Sequence, residues 1–114
     1  MTEHSEPEIP NEDTVLTANA LKAMAHPLRW KILCSLGDSE LSVGEIVERT
    51  GTSQSNISQH LEQLRNKNIL VSRKDANRIY YRIRNSQLLT LIGTMRNVLC
   101  PTNLNDYYPP NDDD

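Results

Sequence analysis

Apolar positions along the chain follow a helical period, then an alternating one, then a helical one again. From Thr14 to Ala25, Val15, Leu16, Ala18, Leu21, Ala23 and Met24 supply an apolar surface, and Thr14 is placed to cap it. His26-Pro27 breaks that helix, because proline disfavours helix in the residue before it and sits well at a helix start. A second helix is predicted over Pro27 to Leu36, stopping at Gly37, with Leu28, Ile32 and Leu36 as its central stripe. Trp30 and Cys34 lie together, well off that stripe. Ser42 to Thr50 reads as a short amphipathic helix with Val43, Ile46 and Val47 inward. Gly51 supplies a tight turn, and Ile57, Leu61 and Leu64 then fall at i, i+4 and i+7 of a further helix that Ser53 or Thr52 can cap. Alternation follows: a strand over Ile69 to Arg73, a turn at Lys74 to Asn77, and a return strand over Arg78 to Arg84. Ile79, Tyr81 and Ile83 share one side of it; Tyr80, Arg82 and Arg84 share the other. The last helix, Ser86 to Leu99, repeats apolar residues at three and four and ends before Pro101.

The polar positions of the helix after Gly51 are unusual. Gln54, Ser55, Ser58, Gln59 and Gln63 are neutral donors and acceptors, where a solvated face would carry Glu and Lys. Such groups suit a face pressed against base edges, which are read by hydrogen bonds without fixed charge. Helix, glycine turn and polar-faced helix make a helix-turn-helix pattern. The hairpin behind it carries Arg73, Lys74 and Arg78 at its tip, within reach of phosphates or the minor groove, as a wing would be. The expected fold is mainly α with a small β-hairpin, in the order α-α-α-α-β-β-α.

Charge sharpens this picture. The net charge of −3 conceals an acidic segment at each end. Residues 1–13 hold five acids with Pro7 and Pro10, and residues 101–114 hold four with three prolines. Both are expected to be disordered tails around one domain, residues 14–100. Residues 15–100 carry all twelve Lys and Arg against six acids, a net of +6. Seven of the twelve fall between Arg65 and Arg84. A basic body favours a polyanion, here double-stranded DNA. No long apolar run suggests a signal peptide or membrane span, so a cytoplasmic protein is expected.

Specific residues add a resemblance. Ser53-Gln54-Ser55-Asn56-Ile57-Ser58-Gln59-His60-Leu61, with Leu64, resembles the recognition-helix signature of the ArsR/SmtB family of bacterial winged-helix repressors. Leu21 to Arg29 resembles the family's first helix junction, Leu41 to Ile46 its third helix, and Ile79 to Ile83 its second wing strand. The resemblance spans about residues 15 to 100. It implies a homodimer formed through the first and last helices, and DNA contacts from Ser53, Gln54, Ser55, Ser58, Gln59 and Gln63, with Arg73, Lys74 and Arg78 on the wing.

Catalysis finds little support. There is no phosphate-cradling glycine loop, and His4, His26 and His60 are scattered. The family's arsenic-type branch places two cysteines in the third helix, where this chain has Ser42 and Gly44; its zinc-type branch uses an acid and histidines on the last helix, where Ser86 to Leu99 has neither. No metal or other cofactor is expected. His26, beside Pro27, and His60, beside Leu61, read as structural or orienting residues. Two cysteines in a cytosolic chain are inert core residues, metal ligands or redox groups. Cys34 in the second helix and Cys100 at the end of the last resemble the pair of the redox- and persulfide-sensing branch, the BigR, SqrR and HlyU type. That resemblance implies a disulfide or polysulfide link, made by an oxidant or reactive sulfur species, that releases operator DNA. A metal-responsive repressor with a non-standard site, or a DNA-binding module with inert thiols, are the alternatives.

Overall fold

The computed structural model describes residues 10–99. Five helices and three short strands follow in the order α1 (Asn11–Met24), α2 (Pro27–Leu36), β1 (Leu41–Ser42), α3 (Val43–Thr50), α4 (Gln54–Asn66), β2 (Leu70–Asp75), β3 (Arg78–Ile83) and α5 (Ser86–Leu99). The strands form one antiparallel sheet in the order β1-β3-β2.

Local chemistry explains most boundaries. α1 begins at Asn11, three residues before the expected start, so residues 11–13 are helical and do not belong to a tail. Pro10 holds φ at −56° at the N-cap, and Glu12 and Asp13 in the first turn complement the helix dipole. Thr14 lies inside the helix and donates its hydroxyl to the Pro10 carbonyl, so it is not the cap. His26 caps α2 by accepting from the Leu28 amide. Ser42 and Glu45 form a reciprocal capping box on α3. Gly51 closes α3 in the left-handed region at φ 73°, which is the turn of the helix-turn-helix.

The hairpin differs in detail from the expected one. β2 runs on to Asp75, which pairs with Arg78, leaving a two-residue turn of Ala76 and Asn77. Ala76 takes a positive φ of 56°. β1 was not anticipated; two residues carry no alternation to detect, and its pairing with Tyr80 and Tyr81 ties the wing to the start of α3.

The core gathers Ile32, Leu33 and Leu36 of α2, Ile46 of α3, Ile57, Leu61 and Leu64 of α4, and Ile69 and Leu70, all fully buried or nearly so. Burying each such side chain contributes about 1.5–3 kcal/mol. Tyr81 and Ile83 close the core from β3, whereas Ile79 projects past it at the wing tip and is 42% exposed. α1 and α5 bury little of their apolar surface: Val15, Leu16, Leu21, Leu91, Val98 and Leu99 all stand in solvent. α2 packs against α1, α3, α4 and α5, so it is the central element.

Candidate nucleic-acid interface

α4 is anchored by its apolar stripe, with Ile57, Leu61 and Leu64 completely buried. The opposite side therefore faces outward by geometry, and Gln54, Ser55, Ser58, Gln59 and Gln63 are all exposed. Ser53 is also exposed, but its hydroxyl accepts from the Asn56 amide at 3.3 Å as the N-cap. Asn56 in turn donates its side-chain amide to the Thr52 hydroxyl at 3.2 Å. The first turn of α4 is thus held at its start by two hydroxyl contacts. The polar face holds side chains that donate and accept without a fixed charge, which is what base edges require.

The three wing cations do not stand alike. Arg73 donates through Nε to both carboxylate oxygens of Glu40 at 2.9 Å, and its Nη2 lies 2.8 Å from Oε1. It also approaches Asp75 at 3.6 Å and lies over the Tyr80 ring, 4.7 Å from its centroid. Hydrogen bonding to Arg73 holds the Glu40 carboxyl below its ordinary range. Arg73, expected as a DNA contact, is also a strut to Glu40 from the middle of the hairpin, with its side chain still half exposed. Lys74 and Arg78 flank the turn, are exposed, and have no ion-pair partner among the described residues. Arg78 and Ile79 also line a groove with Gln54 and the first turn of α3.

His60 is half-buried behind the reading face. Its Nδ1 accepts from Arg29 Nε at 2.9 Å, which ties α4 to α2. Neither Glu40–Arg73 nor Arg29–His60 carries a sequence signal, since the partners stand more than thirty positions apart.

The thiols are placed unequally. Cys34 is half-buried on α2. Cys100 lies outside the described residues. Leu99, just before it, lines an apolar cavity of about 430 Å³ together with Leu21, Met24, His26, Trp30 and Met95. Among the described residues, no group of three or more His, Cys, Asp or Glu is arranged to hold a metal ion, and no helix is long and apolar enough to cross a membrane.

An outward polar helix on a helix-turn-helix, beside a basic two-stranded wing, defines a winged-helix DNA-binding regulator. Comparison with known proteins narrows the class. A family model described as "Bacterial regulatory protein, arsR family" matches residues 26–72. The Escherichia coli K12 regulator YgaV is 46% identical over 85 residues, covering 74% of this chain and 86% of that protein. The biofilm growth-associated repressor of Xylella fastidiosa is 34% identical over 83 residues, 73% of each chain. The solved structure of HlyU from Vibrio cholerae, a protein named a transcriptional activator, superposes with a TM-score of 0.74 at 36% identity, covering 81% of this chain and all of that one. A structure of the same protein described as reduced gives 0.71 at 37%, covering 79% and 95%. The homodimeric winged helix-turn-helix domain of Mb0332 from Mycobacterium bovis gives 0.71 at 28%, covering 75% and 79%. The chain belongs to the arsR family of bacterial regulatory proteins.

Proposed function

We propose that this protein is a cytoplasmic, homodimeric transcriptional repressor that binds double-stranded operator DNA and releases it when Cys34 and Cys100 become linked. An oxidant takes two electrons and two protons from the thiols to leave a disulfide; two persulfide molecules instead each pass their outer sulfur to one thiol and depart as thiols, and the two cysteine persulfides then join as a trisulfide with loss of hydrogen sulfide. One observation carries the sensing part of this reading. Leu99 lines the same apolar cavity as Trp30, and Cys34 follows Trp30 by one turn of α2. The residue after Leu99 is Cys100. A direct disulfide needs Cα atoms within about 7 Å, and a sulfur-extended link tolerates a wider gap.

Dimerisation is supported by the exposed apolar residues of α1 and α5, which a domain this small gains by covering, and by the homodimeric Mb0332 domain. Repression is supported by the biofilm growth-associated repressor, against the activator named among the same relatives. Linking α2 to the end of α5 couples the helix behind the reading head to the helix at the dimer seam. Two reading heads must meet half-sites about 34 Å apart, so a small change in dimer geometry weakens binding.

Gel shifts with an operator duplex, before and after persulfide or peroxide, test this. Treated protein is expected to gain sulfur or lose two hydrogens by mass and to bind with a loss of about 1–3 kcal/mol. Cys34→Ser and Cys100→Ser should each bind normally and fail to respond. Release of DNA by either treated variant refutes the two-cysteine mechanism.

A further inference from the structure

Behind the recognition helix lies a cluster of nitrogen groups that the DNA contacts do not use. Arg29 spans it. Its Nε donates to His60 Nδ1 at 2.9 Å, and its Nη1 donates to the Ala23 carbonyl at 3.3 Å, near the end of α1. His26 stands beside them, its ring centroid 4.5 Å from that of His60 with the planes tilted by 40°. Its Nδ1 accepts from the Leu28 amide at 3.1 Å and so caps α2. Both imidazoles thus use Nδ1 as an acceptor, which places the single proton of each neutral ring on Nε2. The arrangement joins the end of α1, the start of α2 and the middle of α4, and the Arg29–His60 bond holds only while the His60 ring is neutral.

We propose that Arg29 and His60 position the recognition helix for operator binding, and that a proton on His60 releases it. The proposal rests on the DNA-binding reading of α4. A proton added at His60 Nδ1 turns the acceptor into a donor facing the Arg29 N–H. It also sets a second positive charge within hydrogen-bonding distance of the guanidinium. His60 adjoins Gln59 and lies two positions from Ser58, so a shift of its ring moves the reading face itself. The groups bearing on it all act in one direction. Burial pushes His60 below its ordinary value of 6.5, and His26 and Arg29 push it further. From α1 the cluster receives the Ala23 carbonyl, which accepts from Arg29. With its native value depressed, His60 contributes stability that is complete above about 6.5 and lost as pH falls through the lowered native value.

The test uses full-length protein and a duplex selected by it from random sequence, with affinity followed from about pH 8 down to about pH 5. Native protein should lose selective binding across the acid limb. His60→Asn puts an amide oxygen where Nδ1 stands and cannot titrate; it should bind like the native protein at neutral pH and lose most of the acid limb. Arg29→Met keeps the apolar stem and removes the donor; it should bind about tenfold more weakly at neutral pH, as expected for one lost charge-assisted hydrogen bond. An undiminished acid limb in His60→Asn, or native affinity in Arg29→Met, overturns the proposal. Imidazole nitrogen NMR on the DNA-free protein tests it independently: His60 should be the Nε2–H tautomer at neutral pH, and the Nδ1–H tautomer overturns it. Failure to select any duplex refutes the DNA-binding reading, while the imidazole spectrum still decides whether Arg29 holds His60.

Discussion

The division of labour among the wing cations is measurable through salt dependence. Each phosphate neutralised by a cation adds about 0.9 to the slope of log affinity against log salt. Arg78 is exposed beside the turn and has no ion pair among the described residues, so on the DNA-binding reading Arg78→Ala should remove one phosphate contact per wing. With two wings in a dimer the slope flattens by about 1.8, and raising salt from about 50 to about 200 mM then costs the variant about twelvefold less affinity than it costs the native protein. Arg73 behaves differently. Its guanidinium already meets Glu40 at 2.8–2.9 Å, approaches Asp75, and covers Tyr80. A phosphate gains little from a charge so compensated, so Arg73→Ala should leave the slope within about 0.5 of native. Glu40→Gln should act in reverse, freeing Arg73 and steepening the slope by as much as about 1.8 in the dimer. The assay is a fluorescence-anisotropy titration of one labelled duplex at four or more salt concentrations. Equal flattening by Arg73→Ala and Arg78→Ala, with no steepening by Glu40→Gln, refutes the strut assignment.

Two further outcomes follow from α4. Ile57→Ala opens a cavity at a site with no solvent exposure and should destabilise the protein by about 2–5 kcal/mol in urea unfolding, with binding lost in proportion to folding. Ser58→Ala combined with Gln59→Ala removes exposed donors and acceptors that contribute nothing to the core; folding should be unchanged, and discrimination against a mismatched operator should fall by about 1–3 kcal/mol per lost base contact in competition gel shifts.

The elements with periodic signals are legible in the sequence. α2 stops at Gly37 and α3 turns at Gly51 as expected, because a left-handed turn favours glycine. The stripe of α4 was legible because three apolar residues at helical spacing leave the remaining positions for solvent or a ligand. The start of α1 is ambiguous in the sequence because both Pro10 and Thr14 fit a helix N-terminus, and the acids after Pro10 continue the acidic composition of the segment before it. The wing cations were legible as positive charge but not as contacts. Glu40 is adjacent to the wing only after β1 pairs with β3, and nothing local to Arg73 shows that it is compensated. The central stripe of α2 was read as Leu28, Ile32 and Leu36, whereas Leu33 is fully buried and Leu28 only half so. A wheel treats a helix as having one neighbour, and this one packs against helices on several sides.

That crowding of α2 bears on how a thiol signal could reach DNA. A link from Cys34 acts on the second half of the helix, and Arg29 holds His60 of α4 from the first half. Ile32 and Leu33 are buried between these positions and Leu36 just past Cys34, so α2 cannot bend into empty space and must shift as a unit or not at all. Ten residues of helix span about 15 Å, short enough to move as a rigid rod. On the thiol-sensing reading, therefore, any displacement of α2 that accompanies linking Cys34 to Cys100 is carried to Arg29, and through it to the ring of His60. The dimer seam and the Arg29–His60 link then become two outlets for the same movement. They separate in a double-mutant cycle. If α2 carries the signal, His60→Ala should reduce the fold-release caused by linking the cysteines. If only the seam carries it, the two effects should add.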